Sequence, residues 1–206
     1  MRSVLIERLG RAPRRPQRSD YDLVPRAALR PRPARSLRRA AVLVPLLMRG
    51  EGMTVLLTCR AAHLSRHPGQ ISFPGGRADP QDTNAVSTAL REAEEEVGLP
   101  PDAVEIVGRL DSYETVTGYR IVPVVGLIDR PPPFRPDPGE VAEIFELPLD
   151  FVCDPANHRL ESRTVGGIER HYYVLPWKDR YIWGATAHML VNLGEALAAS
   201  GSGEGE

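Results

Sequence analysis

The chain has 206 residues, 42% of them hydrophobic, and its 26 basic and 27 acidic residues leave a formal net charge of −1; this length suffices for one substantial hydrophobic core. The longest apolar run, Ala40 to Met48, is too short to span a bilayer, no signal-peptide pattern opens the chain, and Cys59 and Cys153 lack metal-site or redox spacing. Composition therefore excludes a membrane protein and predicts a soluble, cytoplasmic globular protein.

The N-terminal segment, residues 1–38, is rich in arginine. Twelve arginines fall within the first 39 residues, against the acids Glu7, Asp20 and Asp22. A short helix is predicted around Ser3 to Leu9, followed by irregular chain. This composition is typical of a nucleic-acid-binding arm, an organelle transit peptide or a solvated, proline-broken lead-in. Because Lys178 is the only lysine, arginine is the general basic residue of this chain, and a dispensable lead-in is the favoured interpretation.

Residues 39–198 alternate apolar runs with turn signals. The runs AAVLVPLLMR and MTVLLTCR are predicted strands of a hairpin around RGEG, followed by a loop, a short strand ISF and a turn at Pro74-Gly75-Gly76. Later strands are predicted in VEIVGRL, YRIVPVVGLI, VAEIFEL, and the pair RTVGG and HYYVLPW. The proline-rich loop RPPPFRPDP precedes VAEIFEL, and WGATAHMLVNLGEALAA is a predicted C-terminal helix. This order predicts one α/β (α+β) domain, an α/β/α sandwich with a mixed β-sheet, and a disordered tail over 199–206.

The central helix is predicted from Thr83 to Val97, with Asp82 or Thr83 as its N-cap and with Gly98 and Pro100 as its stop. At about 100° per residue, one side of this helix is apolar and faces the core. The apolar positions are Val86, Leu90, Ala93 and Val97.

Four glutamates lie within five positions of the same helix. Glu92, Glu95 and Glu96 fall on one face beside the glycine turn, whereas Glu94 points away from them. Carboxylate oxygens in this arrangement suit Mg²⁺ or Mn²⁺, which would relieve their mutual repulsion. Helix geometry alone leaves open the alternative of a solvated acidic face.

The stretch GGRADPQDTNAVSTALREAEEEVGL resembles the Nudix box. The matching positions are Gly76, Arg91, Glu92, Ala93, Glu95, Glu96, Gly98 and Leu99. Asp82 stands at the usual glutamate position, and eight residues rather than seven separate it from Arg91. The extra residue falls before the helix, so the spacing of the glutamates is intact, but the role of Asp82 is in question.

The preceding stretch, LLTCRAAHLSRHPGQISFPGG over Leu56 to Gly76, resembles a signature of the coenzyme A diphosphatases of that superfamily, in which the longer spacing is usual. Ser65 is a departure, since many members have arginine there. The resemblance covers roughly residues 40–195. It implies metal-dependent hydrolysis of coenzyme A and its thioesters to 3′,5′-ADP and (acyl-)4′-phosphopantetheine. Two alternatives stay open: a Nudix hydrolase of another dinucleotide such as ADP-ribose or NADH, and a nucleotide-binding module without catalysis.

Phosphoanhydride cleavage requires charge neutralisation on two phosphates, an aimed water and a base. Glu92 and Glu96, one turn apart, are the expected ligands of Mg²⁺ or Mn²⁺, and the resemblance implies the same pair. Glu95 is expected as a further ligand or as the residue that orients the water. The Gly75 carbonyl is a candidate backbone ligand, and Arg91 is expected to fix a glutamate rotamer through a bidentate pair.

The general base is expected on a later loop, with Glu140 preferred and Glu143 as the alternative. Basic residues flanking the box are candidates to bind the 3′-phosphate or the pyrophosphate. They are Arg60, Arg66, His67 and Arg77. The expected partner is a small-molecule nucleotide rather than a nucleic acid or a membrane, and a homodimer is left open.

Overall fold

The computed structural model describes residues 2–11, 18–24, 37–50 and 52–198; the predicted tail, 199–206, lies outside these ranges. The helices are α1 (Arg2–Arg11), α2 (Ala85–Val97), α3 (Leu149–Cys153) and α4 (Gly184–Ala198). The strands are β1 (Arg18–Ser19), β2 (Arg38–Arg49), β3 (Gly52–Arg60), β4 (Ile71–Ser72), β5 (Gly75–Arg77), β6 (Glu105–Arg109), β7 (Tyr113–Glu114), β8 (Tyr119–Ile128), β9 (Val141–Pro148), β10 (Arg159–Val165), β11 (Ile168–Trp177) and β12 (Arg180–Trp183). Within the described ranges, every helix is too short or too polar to cross a membrane.

Strand β2 is the centre of a nine-stranded mixed sheet. It runs parallel to β8 on one side and antiparallel to β3 and β5 on the other. The sheet continues through β6 and β7 beside β8, β1 beside β7, and β4 and β9 beside β3. The predicted hairpin is confirmed, because the β2–β3 register closes at Arg49 and Gly52.

The two faces of this sheet are covered by different helices. In β2, the side chains of Val42, Val44 and Leu46 join the core beneath α1, α3 and α4, whereas Leu43 and Leu47 join the core beneath α2. This alternation follows from the two-residue period of a strand. Burying one such side chain contributes about 1.5–3 kcal/mol. The predicted α/β/α sandwich is therefore confirmed.

A smaller sheet, in the order β10-β11-β12, packs against α4. The predicted β10–β11 hairpin is confirmed, with Gly166 and Gly167 both at positive φ in its turn. Strand β12 was not predicted, because it has only four residues and the last of them, Trp183, falls in the predicted C-terminal helix. That helix begins at Gly184, which terminates β12 with a φ of 66°.

The described parts of the N-terminal segment are packed onto the domain. Leu5 and Leu9 of α1 are buried in the core, and Arg8 Nη1 donates a hydrogen bond to the Leu197 carbonyl of α4 at 2.9 Å. Strand β1 pairs in parallel with β7. The expectation of a solvated lead-in is wrong for residues 2–11 and 18–24, since their apolar and charged side chains find partners in the domain. Residues 12–17 and 25–36 lie outside the described ranges.

Arg18 anchors this segment. Its side chain is only 7% exposed, and its Nε donates to Asp111 Oδ2 at 2.9 Å while Nη2 pairs with Glu195 of α4. Asp111 also accepts from the Asn192 side chain, and its backbone N–H donates to Asn192 Oδ1. Each charge in this buried group is thus paired.

Candidate metal and phosphate site

The glycine pair lies in a strand rather than in the predicted turn. Gly75–Arg77 forms β5, which pairs antiparallel with residues 40–42 of β2. A Cβ at Gly75, whose φ is 154°, would lie 2.5 Å from Val42 Cα, and one at Gly76 would lie 2.5 Å from Glu92 Oε2. Both glycines are therefore needed for close approach, Gly75 to the sheet and Gly76 to a carboxylate of α2.

The register of β5 turns the polar backbone groups of Gly75 away from β2. Leu43 N–H donates to the Pro74 carbonyl at 2.8 Å, and Ala78 N–H donates to the Arg39 carbonyl at 2.9 Å. In an antiparallel ladder, the residue next to a hydrogen-bonded one directs its own N–H and C=O away from the partner strand. The Gly75 N–H accordingly donates to Glu96 Oε2 at 3.2 Å, and its carbonyl is free of the β2 ladder.

Helix α2 begins at Ala85, two residues later than predicted. Asn84 is the N-cap: its side chain accepts from the N–H groups of Val86 at 2.8 Å and Ser87 at 3.2 Å, and Ser87 Oγ accepts from the Asn84 N–H. The prediction of Asp82 or Thr83 as N-cap is wrong, because this reciprocal capping box satisfies the first N–H groups. The predicted stop is confirmed, with Gly98 in the left-handed conformation.

The burial of α2 follows the predicted apolar stripe and extends it to Thr88, Ala89 and Glu96. Ala93 and Val97 are fully buried, and Val86 and Leu90 pack against the same core. Glu96 is the charged residue among these, with only 4% of its surface exposed. On the helical wheel Glu96 borders the apolar stripe, and strand β5 packs over its side chain.

The three glutamates of the predicted acidic face have different environments. The side chain of Glu92 is 15% exposed and lies over Gly76, whereas that of Glu95 is 59% exposed. Glu96 is buried against Gly75. Of the three glutamates, only Glu92 and Glu96 therefore lie beside the glycines of β5, and the Glu95 side chain lies in solvent.

Arg91 joins three carboxylates. Its Nη2 contacts Asp82 Oδ2 at 3.1 Å and Glu92 Oε1 at 2.9 Å, and its Nη1 contacts Glu95 Oε2 at 2.8 Å. Its Nε also donates to Asp82 Oδ1, so the pair with Asp82 is bidentate. Arg91 thus contacts Glu92 and Glu95 on one side of the helix, but its bidentate pair is with Asp82 and not with a glutamate as predicted.

Asp82 is the fixed end of this network. Its side chain is 7% exposed, and it also accepts from the Asp79 N–H at 2.8 Å. The bidentate bond from Arg91 is the main cause that lowers the pKa of Asp82 to about 2. The extra residue before α2 therefore leaves Asp82 within hydrogen-bonding reach of Arg91.

The electrostatics of Glu96 are those of a buried acid without a cationic side chain bonded to it. Burial is the main cause that raises its pKa to about 8. The charges of Glu92 and Glu140 add to this rise, while the Gly75 N–H and the charge of Arg60 oppose it. Burial also raises the pKa of Glu92. A divalent cation beside these two carboxylates would offset both effects.

The donor set fits Mg²⁺ or Mn²⁺. Glu92, Glu96 and the outward carbonyl of Gly75 supply hard oxygen ligands on one side of the glycine strand. In the arrangement shown by the described residues, no three acidic, histidine or cysteine side chains already converge on one point. Arg91 accounts for part of this spread, because it draws the Glu92 and Glu95 side chains toward Asp82.

The proline-rich loop carries Glu140 to this site. The N–H groups of Arg135 and Asp137 donate to the carbonyls of Val97 and Glu96, both at 2.9 Å, so the loop is docked on the C-terminal end of α2. The charge of Glu140 contributes to the raised pKa values of Glu92 and Glu96.

Glu143 lies elsewhere. It pairs with Arg180 of β12 and is cross-strand neighbour to Cys59. Its neighbour Phe145 packs into the core beneath α4, whereas Ile144 packs beneath α2. The strand alternation thus directs Glu143 to the sheet face opposite α2.

The four flanking basic residues are not equivalent. Arg60 lies close enough to Glu96 to affect its pKa, whereas Arg66 and His67 are exposed on the loop after β3 and Arg77 is exposed on β5. That loop is tied to the Glu140 loop by a contact the sequence analysis did not anticipate, between His63 Nε2 and the Gly139 carbonyl at 3.2 Å.

Comparison with known proteins assigns the chain to a family. A family model described as the NUDIX domain matches residues 37–165. The chain belongs to the Nudix family. The uncharacterized Nudix hydrolases NudL of Yersinia pestis and Yersinia pseudotuberculosis are each 42% identical over 161 residues, which cover 78% of this chain and 80% of theirs. This Nudix protein is accordingly a hydrolase of the class that acts on nucleoside diphosphate derivatives.

Solved structures of Nudix proteins are also similar to the chain. A Nudix hydrolase from Alicyclobacillus acidocaldarius matches with a TM-score of 0.49 and 20% identity over 78% of this chain and 92% of its own. A MutT/nudix family protein from Enterococcus faecalis matches with a TM-score of 0.49 and 16% identity over 85% of this chain and 71% of its own.

Proposed function

We propose that this Nudix protein hydrolyses the pyrophosphate bond of coenzyme A and its thioesters, with Mg²⁺ or Mn²⁺ as cofactor. The products are 3′,5′-ADP and 4′-phosphopantetheine or its acylated form. Water adds to one phosphorus of the pyrophosphate, the bridging P–O bond breaks, and the proton of the water passes to a protein base.

The observation that carries the proposal is the position of the segment that resembles the coenzyme A signature. Arg60, within that segment, lies near Glu96. The loop after Arg60 contacts Gly139, the residue before Glu140, through His63. Because this segment adjoins the candidate metal site, we propose that Arg60 and Arg66 within it, and Arg77 just after it, bind the anionic groups of a nucleotide.

Each protein group has one task in this proposal. Glu92, Glu96 and the Gly75 carbonyl hold the cation, which when bound neutralises phosphate charge and acidifies water. Glu140 accepts the proton, since it is the later-loop acid that lies near Glu92 and Glu96. Arg91 positions Glu92 and Glu95, and Glu95 orients the water or adds a ligand.

The test is product analysis of the purified chain with Mg²⁺ and four substrates: coenzyme A, dephospho-coenzyme A, ADP-ribose and NADH. A site built to bind the 3′-phosphate loses much of its rate when that group is missing. We expect coenzyme A to be the best substrate by at least tenfold in kcat/KM, and this ratio to shrink in Arg60→Ala or Arg66→Ala. Equal rates on coenzyme A and ADP-ribose indicate a general dinucleotide hydrolase, and binding without turnover indicates a non-catalytic module.

A further inference from the structure

Strand β10 is an open sheet edge. Within the described residues it pairs only with β11, and six of its seven residues are exposed. Leu160 is 55% exposed and Val165 is 47% exposed. An exposed edge of this length is a template for a further strand unless its side chains prevent pairing.

The turn fixes which backbone groups face outward. Because Gly166 and Gly167 form a two-residue turn, Val165 and Ile168 are a hydrogen-bonded pair, and so are Arg163 with Arg170 and Glu161 with Tyr172. The residues between them therefore direct their N–H and C=O groups to the open edge. These are Leu160, Ser162 and Thr164.

We propose that β10 is a dimerisation edge, where two copies of this chain pair antiparallel about a two-fold axis at Ser162. In this register Ser162 bonds to Ser162 of the partner subunit, and Leu160 bonds to Thr164 of the partner subunit. The two small sheets then form one six-stranded sheet with an isologous interface.

Overlap and charge together select this register, since centring on Leu160 or Thr164 would overlap only three residues of each strand. Centred on Ser162, Glu161 lies opposite the partner subunit's Arg163, twice by symmetry, and Arg159 lies opposite the partner subunit's Val165. Centred on Glu161, the strand opposes Glu161 to itself and Arg159 to Arg163. Centred on Arg163, it opposes Arg163 to itself. Opposite charges in cross-strand pairs stabilise a sheet and like charges destabilise it.

Two arginines of this hairpin, Arg163 and Arg170, face each other in the single chain, and an acidic residue beside them would offset their repulsion. Arg163 lies directly opposite Arg170 on β11. No ion pair or hydrogen bond of the Arg163 side chain is seen among the described residues, and Arg170 Nε is buried without a hydrogen-bond partner. The partner subunit's Glu161 supplies a carboxylate beside this arginine pair.

The first test is sedimentation velocity of the full chain at about 100 µM with the variants Glu161→Arg, Arg163→Glu and the double variant. We expect the wild type at twice the chain mass of 22.7 kDa, each single variant at least tenfold weaker in dimer affinity, and the double variant restored, since it exchanges the charges. Tyr181→Phe is the control, because it removes the Tyr181–Glu161 hydrogen bond and leaves the edge intact. A monomeric wild type, or a double variant as weak as the single ones, overturns the proposal.

The second test reports the register even if a charge variant folds poorly. Ser162→Cys brings two thiols together across the axis, whereas Thr164→Cys places them four residues apart, about 13 Å along the strand. With Cys59 and Cys153 replaced by alanine, we expect a short bismaleimide to cross-link the first variant at least tenfold more than the second. Equal cross-linking of the two variants, or none, overturns the register. Hydrolase activity plays no part in either readout, so the proposal stands or falls apart from the proposed function.

Discussion

Two arginines organise clusters of acids in this molecule, and they do so in opposite ways. Arg18 is buried between Asp111 and Glu195, which are 93 and 177 residues away in the sequence. Arg91 is 31% exposed, and its partners Asp82, Glu92 and Glu95 lie within nine residues of it. The Arg18 cluster joins distant elements and leaves no charge unpaired.

The Arg91 cluster instead contains carboxylates that a bound divalent cation would also coordinate. Its bonds to Glu92 and Glu95 are local and partly solvated, so their exchange for metal bonds leaves the fold intact. The difference predicts that disrupting Arg18 affects stability, whereas disrupting the site around Arg91 affects turnover.

The largest effect is expected at Glu96. Glu96→Gln keeps the shape of the side chain but removes one ligand charge, so kcat with Mg²⁺ should fall by about 10³-fold or more. Steady-state hydrolysis of the preferred substrate, with circular dichroism as the check on folding, measures this. Glu94→Gln is the matched control, since Glu94 is exposed and lies off the carboxylate face; near-normal activity in Glu96→Gln would restore the solvated-face interpretation.

The next effect is expected at Arg18. Arg18→Met keeps the apolar stem and leaves the buried Asp111 carboxylate without its cation, which should lower the free energy of unfolding by about 3 kcal/mol. Urea denaturation at pH 7 measures it, and kcat should change less than twofold. Glu195→Gln is the control, because the Glu195 side chain is 48% exposed and its loss should cost under about 1 kcal/mol. A stability loss no larger than that of the control would indicate a lead-in that is packed without contributing to the fold.

A third effect concerns pH. The pKa of Glu96 rises from 4.5 to about 8 on folding, so the protonated acid stabilises the fold below pH 4.5 and this contribution is lost as the pH rises toward 8. In metal-free protein, Glu96→Gln should therefore be more stable than the wild type at pH 8.5 by about 2–4 kcal/mol and equal to it near pH 4.5. Added Mg²⁺ should stabilise the wild type more than the variant; a pH-independent difference would place Glu96 in contact with water.

The smallest effect is expected at Asp82. Asp82→Asn removes the charge that fixes Arg91, so kcat should fall by about tenfold with KM nearly unchanged, because Glu92 and Glu95 lose their alignment. The free energy of unfolding should fall by about 1–2 kcal/mol, less than at Arg18, because a largely buried charged hydrogen bond is weakened. Asp82→Glu, which restores the carboxylate, should recover part of kcat; a loss in KM alone would instead make Asp82 a substrate contact.

Much of this fold could be predicted from local pattern. The alternation in β2 and the apolar stripe of α2 identify both faces of the sheet, and the spacing of Glu92 and Glu96 locates the acidic site. In the N-terminal segment, the apolar i, i+4 pair Leu5 and Leu9 indicates a helix that packs on the domain. It was outweighed by the arginine content around it.

Other features depend on contacts between distant parts of the chain. The pairing of Arg18 with Asp111 has no local signature, and β12 is too short for one. The Pro74-Gly75-Gly76 stretch has the composition of a turn. Its glycines nevertheless form a strand, because they pair with the backbone of residues 40–42 in β2. The N-cap at Asn84 was not predicted, because Asp82 is by residue type an equally good N-cap. In the structure the Asp82 carboxylate is bonded to Arg91 instead.

The contact between α1 and α4 sets an order of events during protein synthesis. Arg8 bonds to the Leu197 carbonyl, 189 residues later. At about 5–20 residues per second, the ribosome takes roughly 10–40 s to make that partner. Throughout this interval Leu5 and Leu9 lack part of the surface that covers them in the finished domain. The emerging chain thus presents a short basic, amphipathic helix to chaperones before it can close its own core, so a slowly translated chain has the longest exposure to aggregation.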